Sequence, residues 1–247
     1  MLLTLLVLLN DHILQYALAI WIFIREVSVL LITYFKSFKM THQTICRPIS
    51  IVVEGNIGSG KSTFLKKCLT LKDFTVLLEP VDKWTLVAGK HNLLKLMYDF
   101  CKDYLFIFQV FTNFTLFQNH LLHVETKFKI QERSILSAKY VFLILTEVRS
   151  MLTSIQLDVL FDIISSQEKL TSIDLLVYIK TPPTICLNRI RDRNRDGESS
   201  ISFKYLKQLH DLHEEWMFSS SVPVLILDGT QSPDEMIETL KDHLTKL

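Results

Sequence analysis

From residue 48 onward the chain alternates short apolar runs with longer segments whose apolar residues recur at helical spacing. The runs at 49–54, 74–78, 128–131, 175–179 and 222–227 predict five strands. The segments between them predict helices, the longest over 92–124 and 135–168. The apolar, β-branched run at 49–54 predicts a buried strand. The β-α repetition therefore predicts an α/β fold, a five-stranded parallel sheet with helices on both faces. Ligands of such sheets sit beyond the carboxyl ends of the strands, so the residues just past each run carry the chemistry.

Residues 1–39 follow a different pattern. Apolar runs at 2–9, 13–24 and 27–35 are interrupted by Asn10-Asp11-His12 and Arg25-Glu26. A membrane-spanning helix needs roughly 20 consecutive apolar residues, and Arg25-Glu26 falls inside the best such window. Ala17-Leu18-Ala19 resembles a signal-peptide cleavage site, yet a basic leading region is missing. The stretch is neither Arg- and Ser-rich nor free of acids, as a mitochondrial presequence is. A membrane anchor, a targeting peptide and a stretch extraneous to the fold, with Met40 as the working start, all stay open. Membrane contact through residues 1–39 is one of these outcomes. Residues 1–45 are set apart as an apolar N-terminal segment, and residues 46–247 are read as one folded domain.

Composition changes the picture little. The 27 Lys and Arg nearly balance the 26 Asp and Glu, so there is no electrostatic case for nucleic-acid binding. Cys46, Cys68, Cys101 and Cys186 lack paired or metal-type spacing and read as reduced thiols of an intracellular protein.

The first strand empties into Gly55-Asn56-Ile57-Gly58-Ser59-Gly60-Lys61-Ser62-Thr63, the Gly-x-x-x-x-Gly-Lys-Ser spacing of a phosphate loop. Glycines there let successive N–H groups turn inward onto phosphate oxygens. Lys61 supplies a mobile positive charge for the outer phosphates, and the Ser62 hydroxyl suits Mg2+. The helix predicted from Ser62 onward points its positive N-terminal end at the same anion. A nucleoside triphosphate is the ligand this pattern predicts. Glu79 follows the second strand and Glu132-Arg133 the third. A carboxylate there can take the proton of an attacking hydroxyl, a second can share Mg2+ with Ser62, and an arginine can neutralise the moving phosphoryl group. Alone, Glu79 would read as a solvated loop acid and Arg133 as a structural ion pair. The arginine-dense run from Arg189 to Glu198 reads alone as a solvated helix face. Late in a phosphate-loop chain it also fits a lid that excludes water.

Together the stretches Glu54–Ser62, Glu79-Pro80-Val81-Asp82-Lys83-Trp84, Asn92–Tyr98, Phe108-Gln109, Glu132–Ala138, the arginine run and Tyr205–Trp216 resemble the deoxynucleoside kinase family. The resemblance covers residues 49–228 and implies a P-loop kinase fold with an arginine-rich lid. It implies ATP and Mg2+ as cofactors, a small-molecule deoxynucleoside as substrate and a homodimer. By the same resemblance Glu79 is the base for the sugar 5′-hydroxyl, Arg133 holds the reacting groups, and Glu132 with Ser62 binds Mg2+. Gln109 hydrogen-bonds the base edge, Phe108 and Phe142 line the base, and Trp84 closes the pocket. Tyr98, next to Met97, binds the sugar 3′-hydroxyl with Glu198. Arg193 and Arg195 reach the phosphates, and Arg189 packs on the adenine.

The family's deoxycytidine- and purine-preferring branch carries Arg at the position of Leu116 and Asp at that of Ala138. The apolar pair here is similar to the branch of mitochondrial thymidine kinase and the insect broad-specificity kinase. It leaves room for a thymine methyl group and buries no polar group that needs a purine. Thymidine and deoxycytidine are thus favoured, with deoxyuridine accepted, in the mitochondrion or cytoplasm. The chain departs from the family pattern at Tyr104 (usually Trp), at Ile107 (often Pro) and at Phe161-Asp162 (a Trp-Tyr pair). A nucleoside monophosphate kinase of the thymidylate type is the rival enzyme; it would place Asp-Arg at Glu132-Arg133 and needs no base at Glu79. A catalytically silent, membrane-tethered nucleotide-binding protein is the rival of another class, and its sign would be loss of Lys61, Glu79 or Arg133.

Overall fold

The apolar runs form five strands: β1 (Ile49–Glu54), β2 (Phe74–Leu77), β3 (Phe128–Glu132), β4 (Leu175–Lys180) and β5 (Val224–Asp228). They make one all-parallel sheet in the order β2-β3-β1-β4-β5. This computed structural model describes residues 47–148, 150–195 and 198–246. The anchor, targeting and boundary expectations for residues 1–46 lie outside that range. The helices are α1 (Lys61–Cys68), α2 (Val81–Thr85), α3 (Leu93–Asp99), α4 (Cys101–Leu121), α5 (Ile135–Ser137), α6 (Ile144–Val148), α7 (Ser154–Glu168), α8 (Pro183–Arg193), α9 (Phe203–Ser219) and α10 (Pro233–Leu244).

Strand residues point alternately to the two faces, and each face has its own core. Ile51, Val53, Leu175, Val177 and Ile179 meet Phe64 and Leu65 of α1 and Met236, Ile237 and Leu240 of α10. Val52, Leu176 and Tyr178 meet Leu116 and Phe117 of α4, Leu160 and Ile164 of α7, and Leu209 and Trp216 of α9. Burying each such Leu, Ile or Phe is worth roughly 1.5–3 kcal/mol relative to exposure. The two-faced burial is why β1 and β4 read as near-continuous apolar runs, whereas β3 alternates, with Lys129 and Gln131 as its buried polar positions. From β1 the chain leaves toward β2 on one side, and from β3 toward β4 on the other. The carboxyl ends of these two neighbours therefore flank a topological switch point, where a crevice opens.

Several boundaries differ from the sequence expectation: β2 ends one residue early, at Leu77, β4 ends one residue late, at Lys180, and β5 spans Val224–Asp228 in place of 222–227. Three further differences bear on the site. β3 runs one residue further, to Glu132, because Val53 of β1 pairs with Glu132 in the parallel ladder. Glu132 is thus the last strand residue, and only Arg133 begins the loop. The helix expected over 92–124 is two helices, broken where Phe100 takes φ −133° and ψ 58°. Asn92 caps the first by accepting from the Lys95 N–H at 2.9 Å. The helix expected over 135–168 is interrupted twice. Residues Ala138–Leu143 form a π-helical turn, and a new start at Ser154 is fixed by a Thr153–Gln156 capping box. π-Helical turns change the facing of the residues they carry and recur at functional sites. This one carries Ala138 and Phe142, both of which line the central cavity.

Candidate active site

Between β1 and α1 the phosphate loop takes the shape its glycines allow. Gly55 and Gly58 have φ of 145° and 76°. A Cβ there would stand 2.7 Å from the Ile179 carbonyl oxygen and 2.6 Å from the Cys186 carbonyl oxygen. Any side chain would therefore push the loop off β4 and α8. Asn56 pins the loop from behind: its Nδ2 donates to the Leu206 carbonyl at 2.8 Å, and its Oδ1 accepts from the Ile57 N–H at 2.8 Å. The Ser59 carbonyl accepts from Thr181 Oγ1 at 2.9 Å and from Arg189 Nη1 at 3.0 Å. Gly55, Asn56 and Ser59 thus shape the loop from beneath. Ile57, Gly58, Gly60, Lys61, Ser62 and Thr63 face the cavity. Lys61 folds back, donating to the carbonyls of Gly55 at 3.1 Å and Asn56 at 2.8 Å. Burial first, and repulsion from Arg133 second, push its pKa down to about 8.

The ends of β1, β2 and β3 bring the acids and the arginine together. Ser62 Oγ donates to Glu132 Oε1 at 2.7 Å, and the Glu79 N–H approaches Glu132 Oε2 at 3.4 Å. Arg133 pairs through Nε with Glu79 Oε1 at 2.9 Å and through Nη1 with Glu54 Oε2 at 3.9 Å. Its guanidinium carbon lies 4.9 Å from the centre of the Phe142 ring, a cation–π separation. Arg133 itself has φ 62°, a left-handed conformation that costs a non-glycine residue of order 1–3 kcal/mol. That turn is held by its N–H, which donates to the Val53 carbonyl at 3.0 Å. The Ser134 hydroxyl caps α5 at Leu136 N–H and donates to Glu54 Oε1 at 2.8 Å.

Ser62, Glu79, Glu132, Arg133 and Phe142 line a cavity of about 1010 Å³, and Glu54 and Ser134 lie buried behind them. Trp84, Met97, Tyr98, Phe108, Gln109, Leu116 and Ala138 line the same cavity, together with the phosphate loop. Trp84 is fixed by an Nε1–H bond to Thr115 Oγ1 at 2.8 Å and an edge contact with Phe108, ring centres 5.9 Å apart. Among the described residues the Gln109 side-chain amide makes no hydrogen bond, though the residue is buried. Burial pushes the Tyr98 hydroxyl above its ordinary pKa, so it remains protonated and can donate.

The arginine segment closes the other side. Arg193 grips Glu198 through two bonds, at 2.8 and 2.7 Å, and Arg195 adds a third at 3.2 Å. All three residues line the cavity. Arg189 also reaches it but is tied to two backbone carbonyls, Ser59 at 3.0 Å and Gly229 at 2.9 Å. In this conformation it ties the phosphate loop to the turn after β5.

Sequence reasoning missed several residues of the site. Leu105 and Thr112 line the same cavity, and their helical spacing with Phe108, Gln109 and Leu116 is the signal that finds them. Ser137, Thr146 and Met151 line it too, but the interrupted helix hides their facing. Glu54 stood inside the quoted motif without a role.

A hard carboxylate oxygen beside a hydroxyl, next to anion-binding backbone, fits Mg2+, which takes its remaining ligands from phosphate and water. Among the described residues no group of three or more His, Cys, Asp or Glu side chains could hold a metal alone. No helix among them is long and apolar enough to cross a membrane.

Comparison with known proteins accords with this geometry. The profile of the deoxynucleoside kinase family matches residues 51–247. The chain is 34% identical over 205 residues to mitochondrial thymidine kinase 2 of Homo sapiens, covering 80% of this chain and 77% of that protein. It is 31% identical over 203 residues to a thymidine kinase of Ictalurid herpesvirus 1 (strain Auburn), covering 78% and 85%. With deoxycytidine kinase of Bos taurus it shares 28% over 237 residues, covering 80% and 91%. A phosphate loop, an acid–arginine cluster and an arginine segment, set around one cavity on a five-stranded parallel sheet, accompany that match: the chain belongs to the deoxynucleoside kinase family.

Proposed function

We propose that the protein transfers the γ-phosphoryl group of ATP to the 5′-hydroxyl of a deoxyribonucleoside in nucleotide salvage, with thymidine and deoxycytidine favoured and deoxyuridine accepted. The observation that carries this reading is the position of Glu79. Its carboxylate, held 2.9 Å from Arg133, lines one chamber together with the phosphate loop and the aromatic and apolar side chains. A hydroxyl presented from that chamber gives its proton to Glu79 as its oxygen attacks the γ-phosphorus. Arg133 balances charge on the transferred group, and Lys61 leaves the Gly55 and Asn56 carbonyls for the outer phosphate oxygens. Ser62 and Glu132 would hold Mg2+, which when bound neutralises charge on the phosphates. Arg193 and Arg195 exclude water that would otherwise compete as acceptor.

In the chamber the Gln109 amide offers a donor and an acceptor to the base edge. Phe108 and Phe142 line the base, and Trp84 closes the pocket beside Met97. Tyr98 and Glu198 meet the sugar 3′-hydroxyl. Leu116 and Ala138 present only apolar surface to the base, which favours a pyrimidine bearing a methyl group over one that needs a charged partner. Relatives named as thymidine kinases support the same preference. A homodimer without nucleic-acid partners, a location in mitochondrion or cytoplasm, and a kinase domain at 46–247 preceded by a separate segment at 1–45 complete the proposal. Measuring phosphate transfer from γ-labelled ATP to thymidine, deoxycytidine, deoxyuridine, deoxyadenosine and deoxyguanosine tests it. The pyrimidines should have the higher kcat/KM. A purine as best acceptor refutes the base preference, and no transfer to any of the five refutes the kinase reading.

A further inference from the structure

Glu54 is the last residue of β1 and has no exposed surface. An acid so placed is costly to keep charged, and burial pushes its pKa up to about 7 while Arg133, Ser134 and Lys61 pull it down. Two cations lie near this carboxylate. Lys61 is buried at the start of α1, and Arg133 is buried at the end of β3. Both must face phosphate in the proposed reaction, and they repel each other. One carboxylate oxygen of Glu54 is fixed by the Ser134 hydroxyl at 2.8 Å, and the other stands 3.9 Å from Arg133 Nη1. At that separation the contact is an ion pair, not a hydrogen bond. Among the described residues neither Glu54 Oε2 nor Arg133 Nη1 makes a hydrogen bond. The opposite side of the same guanidinium is held by Glu79 at 2.9 Å and its face by Phe142 at 4.9 Å.

We propose that Glu54 is a positioning residue for phosphoryl transfer: its buried carboxylate fixes the Arg133 guanidinium between Glu79 and Phe142 and offsets its repulsion from Lys61. The proposal rests on the kinase reading above. A buried ion pair contributes little net stability compared with a well-packed apolar pair, so packing alone is a weak reason for an acid here. Ser134 adds a second constraint, because a carboxylate anchored on one oxygen presents the other in a fixed place. Glu54 touches Arg133, and it acts on the reacting groups only through it.

Glu54→Gln tests this directly, since it keeps the volume and an acceptor for Ser134 but removes the charge. kcat for thymidine should fall about 10–100-fold, the usual consequence of removing a group that orients a reacting one. KM for ATP and for thymidine should stay within about 3-fold, because ground-state binding is untouched. In an Arg133→Ala background the same change should cost less than about 2-fold more, as expected of groups acting through one another. A folded Glu54→Gln at the wild-type kcat overturns the proposal. So does an equal loss in both backgrounds. Should Glu54→Gln fail to fold, Glu54→Asp keeps the charge but withdraws it by one methylene. It should show a smaller kcat loss with the same dependence on Arg133, and a wild-type rate there overturns the positional claim. If the wild-type protein phosphorylates no deoxynucleoside, the kinase reading fails and this inference with it. If the wild type is active and Glu54→Gln is indistinguishable from it, only the inference fails.

Discussion

Replacing Glu79 by Gln separates proton acceptance from everything else the side chain does. Glu79 receives the Arg133 Nε–H at 2.9 Å, and its side chain keeps 18% of its exposure. The amide oxygen of Gln can occupy the same place and accept the same bond, so Arg133 stays where it is. Both partners are largely buried, so what the substitution costs in stability is the difference between a charged and a neutral hydrogen bond, about 1–2 kcal/mol. The loss that matters is catalytic, because an amide does not take a proton from an attacking hydroxyl. General-base catalysis is worth about 10²–10⁴-fold, or roughly 2.7–5.4 kcal/mol of barrier. The lysine and loop that would hold ATP are untouched, so ATP affinity should be unchanged. The assay is single-turnover transfer from γ-labelled ATP to saturating thymidine, alongside nucleotide titration and thermal unfolding of both proteins. A Glu79→Gln protein that binds ATP and still turns over within about 3-fold of wild type contradicts the base assignment.

Two further outcomes follow from the same geometry. Leu116→Arg combined with Ala138→Asp places a charged pair against the base, and it should move the preference from thymidine toward deoxycytidine or purine deoxynucleosides; thymidine still leading by kcat/KM would sink the specificity argument. His213 is buried, stacked on Tyr178 with ring centres 6.0 Å apart, and burial, then Arg133, push its pKa down to about 3. Its native form stays neutral while the unfolded chain binds a proton below about pH 6.5, so stability is lost as pH falls through that value, by roughly 1.4 kcal/mol at pH 5.5. Urea titrations at pH 7.5 and 5.5 should show His213→Phe losing less between the two than wild type does by about that amount, and equal losses would refute it.

What the sequence made legible was short-range or strongly periodic. The phosphate loop is readable because Gly55, Gly58 and Gly60 all need positive φ, and glycine is the residue that supplies it. The parallel sheet is readable because apolar runs such as β1 and β4 alternate with helical segments along the chain. The helix break at Phe100 has no such signal, since an apolar residue sits there with neither Gly nor Pro. The π-helical turn at Ala138–Leu143 is set by packing over the cavity, and no local propensity announces it. Glu132 was displaced by one position because strand length is decided by its pairing with Val53, a partner far away in the chain. Arg189 tied to Ser59 and Gly229, and Glu54 beside Arg133, are likewise contacts between distant segments. At Gly229 a Cβ would stand 1.8 Å from Thr181 Oγ1, so the turn after β5 is pressed against the loop after β4. Nothing in the residues around Gly229 states that closeness.

The central claim is that the acceptor is a nucleoside hydroxyl and not a phosphate already on a nucleotide. Thymidine and thymidine 5′-monophosphate, offered separately at equal concentration with γ-labelled ATP and Mg2+, decide it. Labelled monophosphate should form from thymidine, and no labelled diphosphate should form from the monophosphate. Labelled diphosphate, with thymidine left unreacted, would contradict the account and make the protein a nucleoside monophosphate kinase.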